Sequence, residues 1–296
     1  MTTAFEAQGA FEAQHRGPIL LMVLTPALGV AAALAFAVWR GGVSGVAITL
    51  FVVFYLLTAI GVEIGFHRYF SHRSFKCRPG LRFVLGTLGS MAGQGPVLFW
   101  AVVHRQHHRF SDTSLDPHTP FPAGLRGFWR AHVGWMFSVS QLDFAAFGAD
   151  LVRDAVTIKV HRLYFVSYAV GLAAPALIGG LYGGLVGAVE GLLWGGFVRI
   201  FANHHVTWSI NSMCHLWGSS PNQTKDQSRN LWILALPSLG GAWHNNHHAY
   251  PISATNAFRW WQIDPGAWLI RGAEALGLVW DVKVPPRRIL ESGGAS

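Results

Sequence analysis

Residues 43–62 run VSGVAITLFVVFYLLTAIGV and are followed by EIGFHRYFSH at 63–72. The first segment contains no charged residue, and as a helix it would be about 30 Å long, which is the thickness of the hydrocarbon core of a membrane. His67 and His72 come soon after this segment. The stretch therefore predicts a membrane-spanning helix that brings imidazole side chains to one membrane surface.

Three other apolar runs have similar lengths, and short turns join the four runs into two hairpins. The predicted spans are residues 18–39, 43–62, 164–182 and 185–202. Arg40, Gly41 and Gly42 connect the first pair, and Gly183 and Gly184 connect the second. We therefore predict an all-α integral membrane protein with four transmembrane helices.

One further apolar stretch, residues 81–103, is long enough to cross a membrane but contains Gly93, Gly95 and Pro96. Glycine and proline interrupt helices, so we expect a broken segment buried against protein rather than a fifth span. A fifth crossing would also separate the first His pair from the His residues that follow it, on opposite sides of the membrane.

With four spans, the polar segments 63–163 and 203–285 lie on one side of the membrane and form a single His-rich helical cap. Arg40 is the only basic residue in the two opposite turns, so the positive-inside rule makes the cap and both termini cytoplasmic. The predicted organisation is a tail at 1–17, one domain at 18–285 and a tail at 286–296.

The composition agrees with a membrane protein, because 51% of the 296 residues are hydrophobic and 12% are charged. Soluble proteins carry about 25% charged residues. The net charge is +8, and the basic residues are scattered mostly singly along the chain. This distribution favours an anionic lipid surface over nucleic acid as the partner. With only Cys77 and Cys214, the chain has too few thiols for a disulfide framework, a four-Cys zinc site or an iron–sulfur cluster.

Fifteen His residues are the unusual feature of the composition, and nine of them form four clusters. The clusters are His67 and His72; His104, His107 and His108; His215; and His244, His247 and His248. Positions i, i+3 and i+4 of a helix share a face, so each His-x2-His-His triplet is expected to present three imidazoles together. Nine ligands exceed one four-coordinate zinc and suit two transition-metal ions with four or five ligands each. Imidazole suits iron, zinc, copper or nickel, so the spacing leaves the metal open.

Glycine recurs at every fourth position from Gly183, in the predicted turn, to Gly195, in the fourth predicted span. Such a stripe of small residues lets membrane helices approach closely. Glu190 lies in the same span, and a carboxylate inside a membrane is costly enough to need a partner. Two interpretations are open for Glu190: a role in ligand or proton handling, or a hydrogen bond between helices.

Four stretches resemble the membrane fatty acid desaturase family, specifically the Δ9 (stearoyl-type) enzymes and their bacterial acyl-lipid branch. The stretches are GFHRYFSHRSFKC (65–77), HRQHHRFSDTSLDPH (104–118), TWSINSMCHLWG (207–218) and TKDQSRNLWILALPSLGGAWHNNHHAYP (224–251). The resemblance implies two non-haem irons held by the nine His, four membrane helices under a cytosolic cap, and a bacterial inner membrane rather than the endoplasmic reticulum. Zinc can replace iron at imidazole sites in purified protein.

The resemblance also implies roles for single residues. Asn211 would hold a metal-bound water, and Asp112 and His118 would orient ligands from behind. Animal stearoyl-CoA desaturases bend the acyl chain with a Gln, a Trp and a Thr, and this sequence has Gln94, Trp100 and Thr207 at the matching positions. Trp208 follows Thr207 directly. These predicted tunnel residues are Gln94, Trp100, Thr207 and Trp208.

The sequence departs from the family pattern in two places. Polar residues that lie near the acyl carrier in the animal enzymes are replaced here by Gly95, Pro96, Phe99, Val102 and Val103. The carrier of the acyl chain therefore stays open between CoA, a glycerolipid and acyl-carrier protein. The last His cluster usually follows Gly-Glu-Gly-Trp, whereas here it follows Gly-Gly-Ala-Trp at 240–243 and lacks the carboxylate.

The predicted function is an O2-dependent desaturase that introduces a cis double bond, at Δ9, into a long saturated acyl chain. The sequence carries no His-Pro-Gly-Gly haem segment, no Cys run and no nucleotide-binding Gly-rich turn, so electrons are expected from a separate donor. That donor would be ferredoxin- or rubredoxin-like, or cytochrome b5-like. A membrane hydroxylase or acetylenase with the same ligands is the alternative. A metal transporter fits less well, because none of the nine His lies in a predicted span.

Overall fold

The computed structural model describes residues 4–138, 142–287 and 290, with side chains described from Arg16 onward, and is mostly helical. In chain order the helices are α1 (Ala4–Arg40), α2 (Gly45–Ile60), α3 (Pro79–Met91), α4 (Val97–Phe110), α5 (Leu125–His132), α6 (Phe144–Val152), α7 (Ala155–Arg162), α8 (Tyr164–Glu190), α9 (Arg199–Leu216), α10 (His244–Ala249) and α11 (Pro265–Ala275). π-Helical segments cover Gly61–Ser71 and Gly191–Val198, and 3-10 turns cover Gly134–Phe137 and Trp232–Leu234. Two short strands, β1 (Lys76–Cys77) and β2 (Val279–Trp280), pair antiparallel.

Three helices of the described chain are long and apolar enough to cross a membrane: Arg16–Arg40, Gly45–Ser71 and Tyr164–Leu216. The third contains 53 residues, whereas one crossing needs about 20. Its helical conformation is interrupted at Gly183 and Gly184, and Gly184 has φ 58° and ψ −147°, a combination that favours glycine. A Cβ on Gly179 would lie 2.1 Å from the carbonyl oxygen of Gly187. The chain therefore folds back on itself at the predicted hairpin turn, and the glycines allow the two arms to touch.

Glu190 is buried near the start of α2, and its Oε1 lies 3.4 Å from the backbone nitrogen of Ser44, which donates to it. Ser44 also caps α2, because its hydroxyl accepts a hydrogen bond from the amide of Ala47 at 3.2 Å. A carboxylate at a helix N-terminus is stabilised by the unpaired amides and the helix dipole. The structure thus supports the hydrogen bond between helices over a role in ligand or proton handling.

The stretch 81–103 is broken, as predicted. Helix α3 ends at Met91 and α4 begins at Val97, and Gly93 and Gly95 between them have positive φ angles of 73° and 95°. Buried side chains hold the break: Arg199 donates to the carbonyl of Met91 at 2.6 Å, and the ring of His204 lies 3.0 Å from the carbonyl of Ala92. Arg199 was not anticipated, and it satisfies a carbonyl that the end of α3 leaves free.

Two predicted boundaries differ from the structure. Helix α1 begins at Ala4, well before residue 18, and the helix predicted at 43–62 begins at Gly45 and continues as a π-helix to Ser71. The candidate span Gly45–Ser71 has 27 residues, so it is about 40 Å long and exceeds the hydrocarbon core by about 10 Å. The additional turns carry His67 beyond the length that a membrane crossing requires.

The His-bearing end of α2 packs closely against α3 and α4. A Cβ on Gly61 would lie 2.1 Å from the amide nitrogen of Gly89, so the two backbones are in contact. Phe66, Phe70 and Val97 are fully buried in the core beside them. Aromatic burial of this kind fixes the helices rigidly, and so it fixes the first two His clusters.

Candidate metal centre and cavity

The structure brings all nine predicted His side chains together in two adjacent groups. The five-His group contains His67, His72, His104, His108 and His247. The four-His group contains His107, His215, His244 and His248. Within each group the candidate ligand atoms lie within 4.8 Å of one another. This division matches the expectation of two ions with four or five ligands each.

Each His-x2-His-His triplet contributes to both groups, whereas the spacing predicted three imidazoles facing one site. On α4, His104 and His108 face the five-His group and His107 faces the four-His group. On α10, His247 faces the five-His group, and His244 and His248 face the four-His group. Residues i and i+4 are about 40° apart around a helix, whereas i+3 lies about 60° to the other side of i. The triplet therefore divides between two neighbouring centres.

The imidazoles turn their Nε2 atoms toward the middle of each group. In the five-His group the Nε2 atoms of His72 and His104 are 2.7 Å apart. In the four-His group those of His215 and His244 are 3.0 Å apart. Rings that share this orientation leave Nδ1 to be held by other groups, which is the arrangement found in metal-binding histidines.

Carboxylates hold three Nδ1 atoms of the four-His group from behind. The pairs are His107 with Asp116 at 3.0 Å, His215 with Asp112 at 3.0 Å, and His248 with Asp226 at 2.8 Å. The predicted partner His118 stacks on His107, with ring centroids 4.2 Å apart, and lies 3.8 Å from Asp116. Asp112 thus contacts a ring nitrogen of His215, and His118 lies beside His107 and Asp116.

Burial keeps most of these imidazoles neutral, because it lowers their pKa well below the usual value and the neighbouring His lower it further. This holds for His72, His104, His108, His244, His247 and His248. Burial also opposes the charge on His107, but the carboxylates of Asp116, Asp112 and Asp226 together outweigh it and raise the pKa of that ring. Neutral imidazole is the form that binds a metal ion. The donor set, with carboxylates behind it, fits two transition-metal ions.

A cavity opens against both His groups and continues between α2 and α9. Its polar end contains His67, His104, His107 and His244. Apolar side chains, including Ala59, Val62, Val206 and Ile210, line the walls, and Tyr55 also lines it. A cavity with apolar walls and convergent polar groups at one end suits a hydrocarbon chain whose reacting carbons lie beside the metals.

Three of the predicted tunnel residues form one hydrogen-bonded unit at this cavity. The side-chain amide of Gln94 donates to the hydroxyl of Thr207 at 2.9 Å, and its carbonyl oxygen accepts from the indole of Trp100 at 3.1 Å. Trp100 and Thr207 line the cavity, and Gln94 joins them from behind. Asn203 anchors the amide further, at 2.7 Å.

Asn211 and Trp208 lie on the same helix but face different surroundings. Asn211 lines the cavity, one turn of α9 before His215. Trp208 does not line this cavity, because its side chain is buried in an apolar cluster with Val103, Trp135 and Met136. Residues three apart on a helix differ by about 60° around its axis, so the side chains of Trp208 and Asn211 point in different directions.

Sequence reasoning missed Glu63 and Asp226. Oε2 of Glu63 lies 3.1 Å from Nδ1 of His67, four residues along the same helix. The spacing Glu-x3-His was therefore visible in the sequence. Asp226 reaches His248 from a loop, and no local pattern indicated that contact.

Buried amides fix the short helix that carries the last His cluster. The amides of Asn245 and Asn246 both donate to the side chain of Asn230, at 3.0 and 3.2 Å. The side chain of Asn246 donates to Gln262 at 2.9 Å, and Asn222 donates to Asn245 at 2.8 Å. Helix α10 has only 6 residues and depends on these contacts, because so short a helix is not stable by itself.

The model of the fatty acid desaturase family matches residues 43–281 of this chain. The chain belongs to the fatty acid desaturase family. The hex-5-enoyl-[acyl-carrier protein] acetylenase of Moorena producens (strain JHB) is 44% identical over 282 residues, covering 92% of this desaturase and 88% of that protein. The Delta-9 desaturase-like 5 protein of Arabidopsis thaliana is 40% identical, covering 79% and 75% of the two chains. The sn-1 stearoyl-lipid 9-desaturase of Synechocystis (strain PCC 6803) is 37% identical, covering 80% and 71%.

Family membership and the structure together give the general activity. This desaturase is a membrane protein with helices able to span a bilayer, and it is an oxidoreductase that acts as a fatty acyl desaturase. Its His groups can hold metal ions.

Proposed function

We propose that this desaturase uses O2 and two non-haem irons to introduce a cis double bond, at Δ9, into a long saturated acyl chain. The observation that carries the proposal is the convergence of five and four imidazoles beside an apolar cavity. The five-His group would hold one iron, and the four-His group would hold the other together with a water positioned by Asn211. When bound, the irons and O2 supply the oxidising power that imidazole and carboxylate side chains lack.

The protein contributes position and exclusion of water. Trp100 and Thr207, joined through Gln94, fix the path of the chain beside the metal end of the cavity. Positioning one carbon–carbon bond is worth several orders of magnitude in rate. Two hydrogens leave adjacent carbons, and with two further electrons and two protons the O2 is reduced to two waters. The apolar walls keep bulk water from the reacting carbons.

The proposed architecture has four membrane crossings. Helix α1 and the α2 helix supply two, and the two arms on either side of Gly183 and Gly184 supply the others. Both His groups then lie on one side, as a cytoplasmic cap of a bacterial inner membrane protein. An acyl chain enters from that side with its carrier in water and its tail in the bundle.

The test is expression of the full chain in a bacterial host that makes no unsaturated fatty acids, followed by mass spectrometry and mapping of the double bond. We expect a product two hydrogens lighter than its saturated precursor, with a cis bond at C9. His107→Ala and His247→Ala, one from each group, should abolish it, while His161→Ala, which lies outside both groups, should not. A product that gains oxygen, or full activity in both ligand variants, would overturn the proposal.

An acetylenase is the second candidate, and the 44% identity to the Moorena acetylenase favours it. The same residues would then remove two hydrogens from a chain that already contains a double bond. Supplying the purified protein with saturated and terminally unsaturated chains on acyl-carrier protein separates the two. An alkyne formed only from the unsaturated chain assigns the acetylenase, and an alkene formed from the saturated chain assigns the desaturase.

Electrons for either reaction come from a separate carrier protein in this proposal. Purified protein with a nicotinamide cofactor alone should show no sustained turnover, and addition of a ferredoxin-, rubredoxin- or cytochrome b5-type carrier with its reductase should start it. Sustained turnover without any carrier would contradict the separate donor.

A further inference from the structure

A buried carboxylate, Glu63, lies on the cavity wall directly behind the five-His group. Its side chain is 9% exposed and its Oε2 is 3.1 Å from Nδ1 of His67. The Nε2 atom of the same ring points the other way, to within 3.0 Å of Nε2 of His247. His67 is therefore positioned between a carboxylate on one side and the proposed metal centre on the other.

The second oxygen of Glu63 is held by a buried arginine. Nε of Arg68 donates to Oε1 at 3.0 Å, and Arg68 is 1% exposed. Arg68 also pairs with Asp264 at 2.8 Å and donates to the carbonyl of Ala254 at 2.7 Å. Since the guanidinium is fixed at several points, the Glu63 carboxylate has a defined position and is not free to turn away from the ring.

Glu63 is the five-His counterpart of the three aspartates behind the four-His group. Among the described residues, Glu63 is the one carboxylate that forms an ion pair or hydrogen bond with the five-His group. Glu63 therefore has the place behind the five-His centre that the aspartates have behind the other.

Gly241 has no side chain, and the carboxylate of Glu63 lies where a side chain at position 241 would be. A Cβ at position 241 would lie 3.0 Å from Oε2 of Glu63, 3.0 Å from Cδ1 of Ile210 and 3.3 Å from the carbonyl of Ser238. A longer side chain there would collide with the carboxylate. A buried acidic side chain at position 241 would therefore compete with Glu63 for the same space.

We propose that Glu63 is the positioning residue of the five-His centre and that Gly241 is the residue that makes room for it. The carboxylate missing before the last His cluster is then supplied from the first cluster, by a different part of the chain. This inference rests on the proposed pair of metal ions and adds which side chain fixes His67.

The experiment measures metal retention by the purified full-length protein loaded with Fe2+ and dialysed against a graded chelator. Wild type should retain two ions per chain. Glu63→Gln, which keeps the shape and loses the charge, should lose one ion at about 10–100-fold lower chelator concentration. The same variant should change the visible spectrum of the Co2+-loaded protein, because the spectrum reports on the ligands themselves.

The matched control is Asp264→Asn, because Asp264 is the other buried carboxylate on Arg68 but contacts none of the nine His. It should retain both ions. Equal loss in Asp264→Asn and Glu63→Gln would overturn the inference, since Glu63 would then act only by neutralising Arg68. Unchanged retention in Glu63→Gln would also overturn it.

The exclusion between positions 63 and 241 has its own test. Gly241→Glu alone should lose one ion, because two carboxylates then compete for the space beside His67 and neither takes the position that fixes the ring. The double variant Glu63→Ala/Gly241→Glu should recover retention. A double variant that retains no more than Glu63→Ala would refute the exchange. A wild-type protein that binds no transition metal would instead refute the proposed function, so the two failures are distinguishable.

Discussion

Carboxylates orient four of the nine imidazoles, and they do so from the side away from the proposed ions. Asp112 and Asp116 follow α4 directly, whereas Asp226 lies more than a hundred residues later in the chain and reaches His248 at 2.8 Å. A carboxylate on Nδ1 fixes the ring orientation and makes Nε2 a stronger ligand. At the level of single residues, the site is therefore determined as much by these partners as by the imidazoles.

Asp226→Asn should weaken the four-His centre. The neutral amide no longer stabilises the Nδ1–H of His248, so we expect metal retention against a chelator to fall by about 10–100-fold. Asp150→Asn is the control, because Asp150 pairs with Arg73 and Arg105 at the surface and contacts no His. Equal retention in the two variants would show that Asp226 does not support the ligand.

Gln94→Leu should separate positioning from metal binding. The substitution removes the hydrogen bonds to Trp100 and Thr207, so the acyl chain loses a fixed path while the nine His keep their places. We expect turnover to fall by about 100-fold with metal content unchanged, measured by product analysis and elemental analysis of the same sample. Normal turnover would mean that the Gln94 unit does not position the substrate.

At the level of the helices, glycine residues allow close packing between the two arms of the second hairpin. Gly179 and Gly187 touch across the hairpin, and a Cβ on Gly191 would lie 2.1 Å from the carbonyl of Pro175. Without side chains at these points the arms pack backbone to backbone, which is how membrane helices gain contact in a solvent as apolar as themselves. The hairpin holds Arg199 and His204 against the break between α3 and α4 and so places α4.

Gly179→Ala should destabilise the hairpin, because its Cβ would lie 2.1 Å from a backbone oxygen that cannot move without moving a helix. We expect a cost of about 1–3 kcal/mol, as for other overpacked sites, and a lower midpoint in thermal unfolding of the detergent-solubilised protein. Gly45→Ala is the control, since a Cβ there meets nothing within 4 Å. Equal midpoints for both variants would contradict the close packing.

For the molecule as a whole, the position of the His cap relative to the membrane determines which side the acyl carrier and the electron donor approach. The turns at 40–44 and at Gly183–Gly184 connect the helices of the two hairpins, and His67 and His215 lie near the far ends of the helices that follow those turns. Four crossings with a cytoplasmic cap are our proposal for this arrangement.

Cysteine labelling tests the topology, because the native Cys77 and Cys214 are buried. In intact bacterial cells, Arg40→Cys and Gly183→Cys should react with a membrane-impermeant maleimide. Lys76→Cys should react only after permeabilisation; Lys76 is exposed on β1, with 66% of its side chain accessible. Opposite behaviour of Arg40→Cys and Gly183→Cys would contradict four crossings, and labelling of Lys76→Cys in intact cells would contradict a cytoplasmic cap.

The sequence by itself determined the apolar runs, the hairpin turn at Gly183–Gly184, the break within 81–103 and the nine His. These follow from composition and local spacing, because membrane length, helix periodicity and glycine conformation are local properties. Only the tertiary structure decided how the triplets at 104–108 and 244–248 divide between two centres, and that Glu63 and Asp226 stand behind His67 and His248. Such contacts join segments distant along the chain, and their geometry depends on helix rotation and packing that no local pattern encodes.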